Sequence, residues 1–391
     1  MTVEVHSLGC RLNLAESEQL RGLLSAAEDL VVVNSCAVTA EAVRQTRQAI
    51  RRARRARPDA RLLVTGCAAE VERASLSQMP EVDGLIANAA KLDPRAWNLP
   101  APAHLPRPAG YTRGFVQVQN GCDHACTFCV IPQGRGASRS RPIAAVLEDV
   151  EMHLDAGVQE IVLTGVDLTS WGADLAQAPR LGALCEAILA RFGALPRLRV
   201  SSVDGAEIDE ALFELLAGEA RMMPHLHLSL QSGDDMILKR MKRRHSRADA
   251  IGLVDRLRAR RTDLAIGADL IAGFPTETNE MHAQSLSIIG ALGVVHGHVF
   301  AYSPRPGTPA ARMPQVPAPI ARTRAAQLRA AVAEQRTGWL AGLVGTALSV
   351  LGERGGTGHS AQFAPVRLPS GTVAGDLISL TPSRVVEGML E

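Results

Sequence analysis

The chain has 391 residues, of which 46% are hydrophobic and 21% charged, and its net charge at pH 7 is +2. This is the composition of an ordinary globular protein with enough apolar residues for two or three domains. Aromatic residues make up only 3%, which argues against a protein that binds single-stranded nucleic acid by stacking bases on aromatic rings.

No stretch of the sequence approaches the roughly 18 apolar residues of a membrane span. The N-terminus, MTVEVHSLGC, has no basic segment followed by an apolar one, so we predict no signal peptide. We therefore expect a cytoplasmic protein that has no contact with a membrane. In that compartment disulfides are rare, and clustered cysteines more often bind metal or take part in chemistry.

Apolar runs alternate with helical patterns along the first hundred residues. The pattern predicts strands at 2–8, 30–34 and 62–65 and helices at 13–24 and 40–57. Such βαβ alternation is typical of an α/β fold with a doubly wound parallel sheet, here in a first domain of residues 1–98. Residues 92–110 contain five prolines, which indicates a linker.

A second alternation predicts a central domain of residues 108–338. Its helical segments separate six candidate strands, at 115–119, 159–164, 197–202, 225–230, 264–271 and 296–302. Six such units predict an open, partial (β/α)6 barrel. A polar helix at about 320–341 leads into short strand patterns with glycine-rich turns, which predict a small C-terminal β module of residues 339–391.

Three of the seven cysteines, Cys122, Cys126 and Cys129, lie within GCDHACTFCV. They follow strand 115–119 directly, and loops at the carboxyl ends of barrel strands carry the chemistry of such folds. Three thiolates on one loop can bind three irons of a [4Fe–4S] cluster and leave the fourth open to a small molecule. The alternatives are unremarkable thiols, or a zinc site with the poorly spaced His124 as fourth ligand. We expect the cluster.

Cys10, Cys36 and Cys67 occupy equivalent places, each just after a predicted strand of the first domain. Parallel strands bring their carboxyl ends to one edge of a sheet, so the three thiols should meet there and bind a second [4Fe–4S] cluster. Simple burial is the alternative for any one of them. Cys185, on the helical pattern LGALCEAIL, is expected to be an inert core residue.

With these motifs the sequence resembles the radical S-adenosylmethionine superfamily, and its three-cysteine first domain resembles the methylthiotransferases within it. The resemblance runs through GCRLNLAESE, NSCAVTAEAVRQTRQ, VTGCAAE, GCDHACTFCVIPQGRG, HLHLSLQSGDD, LKRMKRRHSR, IAGFPTET and YSPRPGTPAARMP. It implies that the cluster of Cys122, Cys126 and Cys129 binds S-adenosylmethionine and cleaves it, with electrons from a reducing donor, to a radical that attacks an unactivated C–H bond. The cluster of the first domain would supply or carry the sulfur, and the C-terminal module is similar to a TRAM domain.

The resemblance also places S-adenosylmethionine contacts on residues that end barrel strands: Thr164, Gly165, Asp167, Ser202 and Gln231. Loop capping is the alternative for each of them. Arginine-rich segments at 44–61, 134–141 and 239–247 favour contact with the phosphate backbone of RNA, against the alternative of simply solvated surfaces.

Members of the family modify tRNA adenosines that carry a threonylcarbamoyl or an isopentenyl group, or an aspartate of a ribosomal protein. Arg11 after Cys10 and the segment RQTRQAIRRARR are similar to the threonylcarbamoyl class, and Arg305 is similar to both tRNA classes. A guanidinium can also bind the threonyl carboxylate through two hydrogen bonds. We therefore predict tRNA as the partner, through its anticodon stem-loop, with substrate contacts from Arg11, Arg135, Arg240 and Arg305. A non-catalytic iron–sulfur protein that binds RNA or acts as a sensor is the alternative of another class.

Overall fold

The computed structural model describes residues 3–99 and 112–391. Its first domain is built on a parallel sheet in the order β1-β2-β3-β4. The strands are β1 Glu4–Ser7, β2 Leu30–Ser35, β3 Arg61–Gly66 and β4 Gly84–Leu85, and the helices are α1 Arg11–Leu23, α2 Ala40–Ala56, α3 Cys67–Val71 and α4 Arg73–Ser77.

Helices cover both faces of this sheet because its strands are apolar on both faces. Val31 and Val33 of β2 pack with Ile50 of α2, whereas Val32 packs with Leu20 of α1. The predicted doubly wound arrangement is confirmed, with a short fourth strand that the sequence pattern did not reveal. Residues 92–99 of the predicted linker pack on this domain through the buried Trp97, and residues 100–110 lie outside the described part of the chain.

The central domain contains the six predicted parallel strands in two groups of three. Parallel bridges at Leu198–Met222 and Val203–Leu228 connect the two groups. The strands are β5 Arg113–Gln117, β6 Gln119–Asn120, β7 Arg139–Ser140, β8 Glu160–Thr164, β9 Arg197–Val200, β10 His225–Gln231, β11 Ala265–Ala272 and β12 Val294–Ala301, of which β6 and β7 form a separate hairpin. The helices are α5 Ile131–Arg135, α6 Ile143–Asp155, α7 Leu181–Arg191, α8 Glu210–Gly218, α9 Asp235–Arg240, α10 Arg247–Arg260, α11 Asn279–Leu292 and α12 Ala318–Gly342.

The main apolar core lies between these strands and the helices outside them, as the alternation along β10 illustrates. Leu226, Leu228 and Leu230 belong to that core, so His225 and His227 between them face the barrel interior. The structure confirms a partial α/β barrel and adds a feature of its interior, which is lined by polar side chains.

The C-terminal module is a six-stranded sheet that packs on the end of α12 through Leu340. Its strands are β13 Leu348–Glu353, β14 Thr357–Ser360, β15 Pro365–Arg367, β16 Leu377–Leu380, β17 Val385–Val386 and β18 Met389–Leu390. Phe363 projects from the module onto the barrel, 5.4 Å from the ring of His225 and 5.9 Å from that of His296. The module therefore closes the end of the barrel at which the strands begin. No helix in the described part of the chain is long and apolar enough to cross a membrane.

Candidate active site

The loop with Cys122, Cys126 and Cys129 lies at the carboxyl end of the barrel and is fixed at both of its ends. Gly121 has φ +76°, and a Cβ there would lie 1.9 Å from the carbonyl oxygen of Ala137, so only glycine fits. Thr127 donates through its backbone N–H to Met241 and through its hydroxyl to the carbonyl of Arg240, at 3.1 and 2.8 Å. The loop is therefore held against the segment that follows α9.

Each sulfur of this loop has a hydrogen-bond donor nearby. The backbone N–H groups of His124 and Ile131 approach the sulfurs of Cys122 and Cys129, both at 3.4 Å. Arg243 lies 3.7 Å from the sulfur of Cys126. Such donors stabilise negative charge on sulfur, as thiolate ligands of an iron–sulfur cluster require.

The thiols of Cys122 and Cys129 are protonated in the protein alone. Burial, followed by the neighbouring acidic group and thiols, raises the pKa of Cys122 to about 12, and burial raises that of Cys129 to about 11. Grouped thiols of this kind lose their protons when a metal centre supplies the compensating positive charge. The loop thus fits a [4Fe–4S] cluster.

A charged network surrounds the loop on the side of β8 and β9. His124 Nε2 lies 2.7 Å from Asp167 Oδ2 and 3.5 Å from Glu207 Oε2. Hydrogen bonds to Asp167 and then to Glu207 raise the pKa of His124 to about 10, so this histidine is a cation. Sequence reasoning considered His124 only as a poorly spaced zinc ligand, and it did not reveal these carboxylate partners, which are distant in the chain.

A second part of the network connects the same loop to β10. Asp204 accepts a hydrogen bond from Arg243 at 2.9 Å and one from Arg244 at 3.3 Å, and Arg244 also pairs with Glu207. Asp204 thus holds in place the cation that approaches the sulfur of Cys126. Neither Asp204 nor Arg243 was among the predicted site residues. The run of basic residues after α9 was visible, but its contact with the loop was not.

Cys10, Cys36 and Cys67 meet at the carboxyl edge of the first sheet. Cys10 precedes α1, Cys36 follows β2, and Cys67 begins α3 directly after β3. Burial, and then the other two thiols, raise the pKa of Cys36 to about 11, and burial raises that of Cys67. Gly9 has φ +91°, and a Cβ there would lie 2.7 Å from the sulfur of Cys36. The group is therefore compact and fits a second cluster by the same chemistry.

The two cysteine groups face each other across the contact between the domains. Gly134 of α5 packs on Cys67, and a Cβ there would lie 3.1 Å from that of the cysteine. The thiol of Cys129 also interacts electrostatically with that of Cys67. The two groups of cysteines are thus close neighbours in the folded chain.

A buried group of charges lies beside Cys67 and joins the domains. Glu16 of α1 accepts two hydrogen bonds from Arg135, at 2.8 and 3.0 Å, and one from Lys91 at 2.5 Å. The side chains of all three residues are at most 2% exposed. Arg135 was predicted to bind substrate, and the structure places it in this interdomain ion pair.

The other three predicted substrate residues have different surroundings. Arg305 pairs with Glu72 of the first domain at 2.9 Å, and Arg240 donates to the hydroxyl of Thr276 at 2.8 Å. Arg11 extends from the start of α1 towards the barrel interior, with its guanidinium carbon 5.5 Å from the ring of Phe363. Arg11 alone of the four forms no hydrogen bond or ion pair with the residues that the structure describes.

The residues predicted to bind S-adenosylmethionine lie together at the carboxyl edge of β8, β9 and β10. A Cβ on Gly165 would lie 3.0 Å from the amide oxygen of Gln119, which also accepts hydrogen bonds from the backbone of Val166 and Asp167. Gln231 has φ +68°, a backbone conformation that is strained for residues other than glycine and concentrates at functional sites. Thr164 is buried, and Ser202 is partly exposed at the end of β9.

Comparison with known proteins agrees with this arrangement. Residues 116–288 match the model of the Radical SAM superfamily, and residues 2–87 match that of the uncharacterized protein family UPF0004. Among solved structures, the radical S-adenosylmethionine methyltransferase TsrM from Kitasatospora setae has a TM-score of 0.55 at 18% identity, covering 76% of this chain and 68% of its own. The partial barrel with its three-cysteine loop is thus the fold of a radical S-adenosylmethionine protein.

Relatives define the family more narrowly. The threonylcarbamoyladenosine tRNA methylthiotransferase MtaB from Rickettsia prowazekii (strain Madrid E) is 42% identical over 99% of this chain and 96% of its own length. The tRNA-2-methylthio-N(6)-dimethylallyladenosine synthase from Cereibacter sphaeroides (strain ATCC 17025 / ATH 2.4.3) is 35% identical over 90% of this chain and 87% of its own length. The chain belongs to the radical S-adenosylmethionine methylthiotransferases. It is a transferase whose cofactors are S-adenosylmethionine and [4Fe–4S] clusters.

Proposed function

We propose that this protein converts N6-threonylcarbamoyladenosine in tRNA to its 2-methylthio derivative. The observation that carries the proposal is the 42% identity, over 99% of the chain, to a relative named for that reaction. The resemblance of Arg11 and its surroundings to the threonylcarbamoyl class supports the same choice. The expected location is the cytoplasm, where tRNA is modified.

Cys10, Cys36 and Cys67 would hold one [4Fe–4S] cluster, and Cys122, Cys126 and Cys129 the other. Each set provides three thiolates, so each cluster keeps one iron without a protein ligand. The two clusters, when bound, supply the electron that cleaves S-adenosylmethionine and the sulfur that is transferred. A reducing partner must provide that electron.

The protein's own residues would position the reactants. Thr164, Gly165, Asp167, Ser202 and Gln231 would hold S-adenosylmethionine at the barrel edge, beside the loop that they surround. Radical chemistry suits the reaction because the C2–H bond of an adenine ring is not activated for acid–base catalysis. Contact between the first domain and the barrel would keep the two clusters close to each other.

The tRNA backbone would bind to the arginine-rich face of α2. Several of its arginines are engaged, for example Arg54 with Asp83 and Arg44 with Glu41. Arg52 and Arg55 are exposed and form no ion pair within residues 3–99 and 112–391. Two unpaired cations one turn apart on a helix suit a chain of phosphates.

The second candidate substrate is isopentenyladenosine in tRNA, because a relative at 35% identity is named for the dimethylallyl nucleoside. Arg11, which has no ion-pair partner in the described part of the chain, favours a substrate with a carboxylate, which that nucleoside lacks. A ribosomal-protein aspartate and a non-catalytic role as an RNA-binding or sensor protein are the remaining alternatives.

Mass spectrometry of tRNA nucleosides from cells with and without the gene tests the proposal. We expect the 2-methylthio-threonylcarbamoyl nucleoside to disappear and its unthiolated precursor to accumulate. Loss of the 2-methylthio-isopentenyl nucleoside would identify the second candidate instead. An unchanged nucleoside profile would exclude both tRNA reactions.

A further inference from the structure

The interior of the barrel is a polar chamber. Side chains at alternate positions of the strands face it, since the residues between them belong to the outer apolar core. The polar residues at these inward positions include Arg113, Glu160, Arg197, Arg199, His225, His227, Asp269, His296 and His298. A chamber so rich in polar groups is suited to a polar ligand rather than to packing.

The deeper half of the chamber has more cations than anions. Glu160 is fully buried and pairs with Arg113 and Arg199, both at 2.8 Å, and with Arg197 at 3.3 Å. Burial raises the pKa of Glu160, but these arginines more than offset it and hold the pKa far below its usual range. One carboxylate is therefore the ion-pair partner of three guanidinium groups, and Glu353 is a further partner of Arg113.

Arg11 adds a cation from the first domain. Its guanidinium carbon lies 5.5 Å from the ring of Phe363, which those of Arg113 and Arg199 also approach, at 5.3 and 5.0 Å. Neither Glu160 nor Asp269 is close enough to form an ion pair with Arg11. Within residues 3–99 and 112–391 Arg11 is thus a partly buried guanidinium without a paired carboxylate, and such a group is suited to bind an anion.

His298 of β12 also faces the chamber, and a hydrogen bond with Asp269 holds it in place. Asp269 Oδ1 lies 3.1 Å from His227 Nε2 and 3.0 Å from His298 Nδ1. Burial opposes ionisation of Asp269, but the hydrogen bonds to both histidines hold its pKa below the usual range. Because an ionised carboxylate only accepts hydrogen bonds, both facing ring nitrogens carry a hydrogen.

This arrangement fixes the ring of His298 and leaves its other nitrogen free. The ring lies 4.6 Å from that of His227. The ring of His227 is packed so closely on Gly267 that a Cβ there would lie 2.3 Å from its Nδ1. The side chain of His298 is nevertheless 59% exposed, although its position faces the chamber. Its Nε2 is thus available to a ligand.

We propose that Arg11 binds the carboxylate of the threonyl group and His298 binds its hydroxyl, and that the two residues so select threonylcarbamoyladenosine. The inference rests on the proposed function and names two specificity residues for it. C2 and C6, which carries N6, are meta positions of the six-membered ring of adenine, so a base with C2 at the carboxyl edge can direct its N6 substituent into the barrel. Asp269 and His227 act as positioning residues for His298.

A divalent metal is the other ligand that this group of side chains could take. The ligand atoms of His227, Asp269 and His298 lie within 4.8 Å of one another, a spacing compatible with two histidines and a carboxylate on one ion. The neighbouring charges of Arg11 and Arg199 repel a dication and attract an anion. The surroundings therefore favour the carboxylate.

The test compares two RNAs with the holoenzyme. Dissociation constants are measured for anticodon stem-loops with threonylcarbamoyladenosine or unmodified adenosine, and turnover is measured on the modified RNA. The variants are His298→Ala and the conservative His298→Gln. The control His282→Ala removes a histidine that bonds Gln327 on the outer side of the barrel. Iron content and unfolding temperature are recorded for each protein.

We expect the wild type to prefer the modified RNA, and His298→Ala to lose about 3- to 10-fold of that preference, the effect of one hydrogen bond to a neutral hydroxyl. His298→Gln should retain part of it, and His282→Ala all of it. Equal binding of both RNAs by the wild type would overturn the inference, as would loss of a stoichiometric non-iron metal in His298→Ala. A wild type that prefers the modified RNA yet forms no 2-methylthio product would contradict the proposed function and leave the subsite supported.

Discussion

Replacement of Glu16 by glutamine is the most severe test of the contact between the two domains. The side chain of Glu16 is fully buried and accepts hydrogen bonds from Arg135 and Lys91 at 2.5 to 3.0 Å. The variant would leave two buried cations without a carboxylate, which costs about 3–5 kcal/mol. Burial lowers the pKa of Lys91, so this lysine can lose its proton in the variant and limit the cost.

Urea unfolding, followed by the fluorescence of the three tryptophans, measures the effect on the stability of the protein. The control is Glu41→Gln, whose carboxylate pairs with Arg44 on the exposed face of α2 and should contribute nothing measurable. Adding Lys91→Met to Glu16→Gln removes one of the two unpaired cations and should recover part of the lost stability. If the urea concentration at half unfolding were the same for Glu16→Gln and Glu41→Gln, the argument that these charges hold the domains together would be refuted.

Two further predictions concern the cluster loop and the acid sensitivity of the barrel. Gly121→Ala should abolish iron binding by the loop, because its Cβ has no room, whereas Gly157→Ala, at φ +81° in open space, should retain all the iron. Burial lowers the pKa of His296 to about 3, so the folded protein should lose stability as pH falls from about 6.5 towards 3, because only the unfolded state then binds the proton. When the pH is lowered from neutral to 5, His296→Gln should lose about 2 kcal/mol less of its free energy of unfolding than the wild type, as measured by urea unfolding. Identical pH profiles of stability for the two proteins would contradict this.

The meeting of Cys10, Cys36 and Cys67 could be predicted because it follows from topology alone. Each cysteine ends a parallel strand, and neighbouring parallel strands end at one edge. The order β1-β2-β3 then brings the three thiols together, regardless of the conformation of the loops. The barrel strands were predictable for a similar reason, since each one carries a buried apolar face.

Contacts between domains could not be predicted in the same way. Arg135 and Arg305 look like free arginines in the sequence, but each pairs with a glutamate of the first domain more than a hundred residues away. Nothing in a local pattern indicates such a partner. By contrast, His225 and His227 did carry a readable signal, because alternate histidines on a strand share a face. Recognising that Asp269 lies beside them required the register of β10 and β11.

Iron content of the purified, reconstituted protein tests the central claim most directly. Two clusters, each held by three cysteines, predict about eight iron atoms per chain. Replacing Cys10, Cys36 and Cys67 together by alanine should leave about four, and so should replacing Cys122, Cys126 and Cys129. Iron that is unchanged in either triple variant would contradict the assignment of that set of cysteines to a cluster.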